Sequence, residues 1–468
     1  MTVAKRQPQS LVRHWWIVIT LMLLLSACDG SSVSQSDDDV SRALSAWSAG
    51  DMPAALEYQR QAIAKDPDNA ELYVVLGRLH LEGQDQSAAR KAFDKTIALG
   101  LDRSIIVNDL ARLDEASHPI NPWQQLRSGQ WLKIHEQRPT DIVFFQRQKH
   151  GGSAFDTKRN QIVLFGSDTH GKDWSNSPLM FDTARLEWRR LYQDDEASSY
   201  QVNSDGLPVA GKEGQHPWAM HTFGAVEYDA ARDELVVSSY PKHMTPGRFS
   251  DALAQVWPRV ARHPTWVLSL ATGQWHALDN KAVDFFPYAT AFDSHRGVVV
   301  GYSSHGVFEL AGEPRHWRRV LPKGLLGYHN NAVYDNWYKK VIVLGSNENS
   351  NEIVVYDPAT QQQQKMSTPG VRPPKDQHIP MAFHTRRGKT VALIDQVPPG
   401  VRWDQRDKTV TLTWLYDLFE DRWEQVASAT LPFGCGMNYN LEYDPSHDVL
   451  LLVTSEPGRP TSVWALRL

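Results

Sequence analysis

His150, His329 and His378 share one place in a repeating pattern. Each lies five residues before an aromatic that opens a turn: Phe155, Tyr334 and Phe383. In three further repeats the same place holds Phe223, Pro287 and Asn438, and His221 lies two residues before Phe223. Imidazole titrates close to neutral pH and binds divalent metals through either ring nitrogen, so it suits a metal site or proton transfer. Residues at one phase of a cyclic repeat converge on one axis, which predicts a histidine-rich mouth. Loops brought to the same face add Asp168, His170, Asp173, Trp174, His243 and Trp403. The expected metal or polar-ligand site is therefore His150, His170, Trp174, His221, His329, His378 and Asn438. The competing assignment is structural, with each histidine bracing neighbouring strands.

The elements that must position these residues are short strands. Six aromatic-turn pairs recur: Phe155-Asp156, Tyr228-Asp229, Phe292-Asp293, Tyr334-Asp335, Phe383-His384 and Tyr443-Asp444. Aspartate suits the turn because its carboxylate accepts nearby backbone N–H groups. After each turn comes an apolar strand (QIVLFGS, ELVVSSY, GVVVGYS, KVIVLGS, TVALIDQ and DVLLLVT), then a third strand. Trp188, Trp275, Trp317 and Trp423 open a fourth strand in four repeats, and Gln361 to Gln364 stand there in another. The sixth repeat reaches Leu468 without one. Residues 129–135 (GQWLKIH) carry the missing pattern, so they are expected to complete the sixth unit and close the ring. The expectation for residues 123–468 is a six-bladed β-propeller, making the chain mainly β.

Residues 41–118 read differently. At an offset of 34, Ala55 aligns with Ala89, Ile63 with Ile97 and Trp47 with Leu81. Small residues (Ala54, Ala55, Ala88, Ala89) stand where two helices would approach closely, and Gly50 and Gly83 end the first helix of each pair. With Leu76-Gly77 and Phe93, this segment resembles a pair of tetratricopeptide repeats. A further stretch, 103–116, carries Ile105, Ile106, Val107, Leu110 and Leu113 and is expected to cap the stack. Such arrays offer a groove for a peptide or partner helix; a spacer role is the alternative.

At the N-terminus, Lys5, Arg6 and Arg13 precede an apolar run over residues 15–25. Eleven residues suit a signal peptide and fall short of the roughly 20 that span a bilayer. The run ends in Leu25-Ser26-Ala27-Cys28, which resembles the lipobox of bacterial lipoproteins. The resemblance implies cleavage after residue 27 and lipid attachment at Cys28, with acyl chains enough for stable anchoring. An uncleaved anchor helix is the alternative. Asp29 resembles the enteric signal that retains a lipoprotein in the inner membrane, so the expected location is the periplasmic face of that membrane. Residues 28–40, rich in Ser and Asp, read as a tether.

Losing residues 1–27 removes three positive charges and no acid, taking the net charge from −5 to −8. An acidic surface argues against nonspecific nucleic-acid binding. Only Cys28 and Cys435 are present, so acylation of Cys28 leaves no intramolecular disulfide and no cysteine zinc site.

The strand repeat resembles the kelch family, as in the central domain of galactose oxidase. Asn176 with Phe181-Asp182 and Asn351-Glu352 with Tyr356-Asp357 match its third strand, and His150 stands where a kelch histidine does. The family's Gly-Gly doublet is reduced to Phe165-Gly166-Ser167 and Leu344-Gly345-Ser346. Copper-radical chemistry in galactose oxidase needs a cysteine–tyrosine thioether. Cys435 is the only thiol besides Cys28, it has Tyr439 nearby, and no oxidase motif surrounds it. Residues 167–174 approach a sialidase Asp-box but carry Thr169 in place of its aspartate. No nucleophile elbow, phosphate loop or HExxH motif occurs, and no cofactor is implied. The balance favours a non-enzymatic, membrane-anchored envelope scaffold that binds a protein or glycan. The alternative is a carbohydrate-active or oxidoreductase-type enzyme using the histidine mouth.

Overall fold

A computed structural model describes residues 35–48, 50–83, 85–107, 109–110, 113, 122–137, 146–169, 173–239, 255–278, 289–327, 329–345 and 351–468. Cys28, Asp29, His170, His243 and Pro287 lie outside the described residues, as does the whole signal segment. The chain divides into two compact units, residues 1–121 and 122–468.

In the first unit, helices α1 (Gln35–Ser48), α2 (Met52–Lys65), α3 (Ala70–Glu82) and α4 (Gln86–Ala98) each pack against the next in sequence. The caps repeat at the same offset of 34 as the core. Asp51 accepts the Ala54 N–H at 3.1 Å and Asp85 accepts the Ala88 N–H at 3.0 Å, each satisfying an orphan donor of the first turn. Helix α1 begins at Gln35, inside the stretch expected to be tether. Its cause is burial: Val40 packs with Ala62 and Leu72, while Asp39 pairs with Lys65 at 2.6 Å. In the capping stretch Ile106, Leu110 and Leu113 are buried against Val74, Leu81 and Phe93, but Ile105 and Val107 face solvent. A 3₁₀ turn at Arg103–Ile106 rotates the apolar stripe away from the spacing that a continuous helix would give.

Among its described residues the second unit holds six four-stranded antiparallel sheets and a small three-stranded one. The first strands of the six sheets are Gly152–Asp156, Val226–Asp229, Ala289–Asp293, Asn331–Asp335, Met381–His384 and Leu441–Asp444. Each lies against the first strand of the next sheet, and that of the sixth lies against that of the first. Apolar clusters fill the space between consecutive sheets, including the sixth and first, where Leu451 and Val463 meet Phe155 and Ile162. Second strands such as Gln161–Phe165 and Val449–Ser455 are buried on both faces, which explains their unbroken apolar runs.

The turn aspartates act as their residue type dictates. Asp156, Asp229, Asp293, Asp335 and Asp444 each accept the backbone N–H groups two and three residues on. The fourth strand of the sixth sheet is Trp131–Glu136, pairing antiparallel with Thr461–Leu466 and bulged between Lys133 and His135. Residues 192–219 contain the three-stranded sheet, Gln201–Val202, Pro208–Ala210 and His216–Pro217.

Candidate functional site

Among the described residues, the segments that lead into the first strands of the first, second, fourth, fifth and sixth sheets meet at one end of the sheets. Arg147 is fully buried and donates to the carbonyls of Gly166 (2.6 Å) and Ser177 (2.8 Å), binding its own segment to the loop that carries Asp168. The His150 carbonyl accepts Thr222 N–H at 2.9 Å and Phe223 N–H at 3.3 Å. Thr222 Oγ1 then donates to the Phe165 carbonyl at 2.6 Å. The first and second sheets are thus joined at the point where His150 and His221 project.

His150, Phe223 and His329 occupy the same repeat position and all have left-handed backbone, with φ of 62°, 47° and 61°. Such residues cost about 1–3 kcal/mol each and persist only where surrounding bonds determine them.

The rings form one connected chain. His150 stacks on His221 at 4.4 Å, and both meet the Phe223 edge at 5.4 Å. Phe223 meets Tyr439 at 5.2 Å, Tyr439 meets His378 at 6.3 Å, and His378 meets His329 at 5.1 Å. Trp403, 41% exposed, stacks on His378 at 4.9 Å. The structure therefore brings together His150, His221, His329 and His378. It does not bring Trp174 to them: that ring packs edge-on to Tyr200 in a cluster with Trp218 and Trp257. Asn438 is buried with its amide turned back onto the Cys435 carbonyl.

Asp168 is the charged centre of the cluster. Its Oδ1 lies 3.2 Å from His150 Nδ1 and 4.0 Å from His221 Nε2, and its Oδ2 lies 2.8 Å from Lys149 Nζ. Burial alone would raise this carboxyl, but His150 and Lys149 outweigh it and hold the acid well below the usual carboxylate range. The other pair behaves oppositely. Burial lowers His378 to about 3, helped by His329 and His150. Burial likewise lowers His329 to about 4, against a hydrogen bond to the Gln377 side chain that raises it. Both are neutral imidazoles at neutral pH. The His378 segment is fixed by Asp376, whose carboxyl accepts His378 N–H at 3.3 Å and Asp395 N–H at 3.0 Å.

A cavity of about 290 Å³ is lined by all six first strands. Two carboxyls that the sequence reading passed over line it, Glu227 and Glu442. Each braces the next sheet: Glu227 takes the Phe292 N–H at 3.0 Å, and Glu442 accepts Ser153 Oγ at 2.6 Å. Burial raises them to about 8 and about 7. Geometry supports a protonated Glu227, because the single Thr290 hydroxyl proton faces two acceptors, Gly224 O at 2.7 Å and Glu227 Oε1 at 2.8 Å. The signal was present as an acid before the aromatic, VEYD and LEYD, in two of six otherwise apolar strands.

Cys435 is fully buried, with its backbone N–H on Asp395 at 2.9 Å, and burial pushes its thiol up, so it is an inert core residue. Among the described residues no helix is long and apolar enough to cross a membrane. No curated protein matches the chain. Residues 46–107 match the tetratricopeptide repeat family, so this part of the helical unit is a tetratricopeptide repeat.

Proposed function

We propose that this protein is a lipid-anchored envelope scaffold. Cys28 would carry the acyl chains, and Asp29 would favour the periplasmic face of the inner membrane. The tetratricopeptide repeat would hold a protein partner. The six sheets would form a closed, kelch-type propeller whose mouth takes a second ligand, a protein or a glycan. The observation that carries this reading is the tetratricopeptide match at residues 46–107, since that repeat is an interaction fold. The cyclic contacts of the first strands and the apolar clusters between all consecutive sheets support the propeller. The exposed Trp403 ring, backed by the buried His378, offers the flat apolar surface that a sugar or peptide would need.

The test is crosslinking in cells followed by purification of the full chain from membranes. The expected result is a reproducible partner whose yield falls about tenfold in Trp403→Ala, together with release of Cys28→Ser to the soluble fraction. Unchanged capture by Trp403→Ala would remove the mouth from the reading, and membrane retention of Cys28→Ser would remove the anchor. A second reading, hydrolytic or redox catalysis, is favoured only by the His150–Asp168 pair, whose 3.2 Å contact resembles a base held by its orienting acid.

A further inference from the structure

We infer that His150, Asp168 and His221 form a binding site for a divalent transition metal of the zinc class. Their ligating atoms, one from each residue, all lie within 4.8 Å of one another. A tetrahedral zinc ion with bonds of about 2.0–2.1 Å holds neighbouring ligand atoms roughly 3.3 Å apart. The observed separations from Asp168 Oδ1, 3.2 Å to His150 Nδ1 and 4.0 Å to His221 Nε2, bracket that spacing. Two imidazoles and one carboxylate are a borderline donor set. Such a set suits zinc, iron or cobalt rather than calcium or magnesium, which take oxygen cages.

The surroundings are those of a built site. His221 is 1% exposed and His150 8%, so the donors are held by packing rather than by chance at a surface. Lys149 occupies Asp168 Oδ2 at 2.8 Å, which leaves Oδ1 directed at both imidazoles. The Asp168 loop is fixed from behind, where its carbonyl accepts Asp173 N–H at 3.2 Å and the Arg147 side chain holds Gly166 and Ser177. The stacked imidazoles both approach one oxygen, an arrangement that a cation between the three atoms satisfies. Three protein donors leave a coordination position open for water or a ligand atom. His329 and His378 lie further along the ring chain and are not among the three donors.

The site rests on the mouth described above, but its test reads the metal alone. The full chain in mild detergent is stripped with a chelator, then titrated with Co²⁺ followed by displacement with Zn²⁺. The expected result is about one metal ion per chain, with visible Co²⁺ bands of a four- or five-coordinate nitrogen and oxygen site. His221→Gln and Asp168→Asn should each weaken binding by about 10-fold or more, while His329→Gln changes it little. Zn²⁺ should also raise the melting temperature of the unaltered chain and not that of Asp168→Asn. Two substitutions guard against one failing to fold, which circular dichroism of the stripped proteins reports. Absence of saturable Co²⁺ binding, or binding by folded His221→Gln equal to that of the unaltered chain, overturns the site. Partner capture that depends on Trp403 in the stripped protein would leave the scaffold reading standing while the metal fails. Metal binding without such capture would do the reverse.

Discussion

Arg147 shows how a single buried cation can decide where distant groups sit. Its partners are carbonyls 19 and 30 residues later, so its role depends on the folded loop. Arg147→Met keeps the volume and removes the donors, leaving the buried Gly166 and Ser177 carbonyls without their partner and Asp194 with Arg190 as its remaining cation. Breaking such a buried network costs about 3–5 kcal/mol. The expected outcome is a lower melting temperature, together with weaker metal binding as the Asp168 loop loosens; unchanged values for both would show that the loop is held otherwise. Glu227 makes a different demand. Its carboxyl is raised to about 8 in the fold against roughly 4.3 unfolded, so between those values the native state binds more protons and stability falls as pH rises. Glu227→Gln removes that slope. Because the group lines a cavity that water can enter, the gain at pH 8 relative to pH 5 should be on the order of 2 kcal/mol rather than the full shift. Parallel denaturant titrations of both proteins at the two pH values check it, and equal slopes would refute it. At this scale the sequence spoke clearly where position repeats. His150, His329 and His378 were legible because a shared phase puts residues on one axis. Arg147 was not, since a carbonyl partner leaves no mark in residue type, and Trp174 was misplaced because an insertion with its own aromatic cluster captured it.

Among the elements, the helical repeat depends on close approach. A methyl added at Gly77 would sit 2.5 Å from the Phe93 ring, well inside contact distance, so α3 and α4 meet at this spacing only with glycine there. Gly77→Ala should therefore gain nothing from better helix propensity and lose about 1–3 kcal/mol through overpacking. Thermal melting followed by helical circular dichroism would read this, and a stabilised Gly77→Ala would mean that the helices can separate freely. The repeat was legible because the offset of 34 carries apolar positions and, as the structure adds, the capping aspartates Asp51 and Asp85. The start of α1 was hidden by its composition. A Ser- and Asp-rich stretch reads as solvated chain, and only the burial of Val40 and Ala43 against later helices makes it helical. Five of the six aromatic-turn pairs were readable for the opposite reason, since an Asp-turn is a local device whose backbone bonds are made within three residues.

For the molecule as a whole, the informative strand is the one that precedes all the others in its unit. Trp131–Glu136 pairs with Thr461–Leu466, so residues more than 300 positions apart share a ladder, and Trp131 Nε1 reaches Thr413 Oγ1 of the fifth sheet at 3.1 Å. Local propensity says nothing about such a pairing. Counting strands did, because the sixth repeat lacked a fourth strand and an orphan strand pattern lay before the first. Without this strand the edge at Thr461–Leu466 would expose its backbone groups, Ile134 would leave the cluster between the sixth and first sheets, and Glu456 would lose Lys133. Each buried apolar side chain contributes about 1.5–3 kcal/mol, and the lost ladder adds to that, so the deficit is a large part of a normal domain's stability. Two truncations separate this strand from the helical unit before it. A chain beginning at Pro122 should melt in one cooperative step close to that of the β unit in the full protein. A chain beginning at residue 138 should melt far lower or aggregate through its open edge. If both chains melt alike, the sixth sheet is stable with three strands and does not depend on Trp131–Glu136.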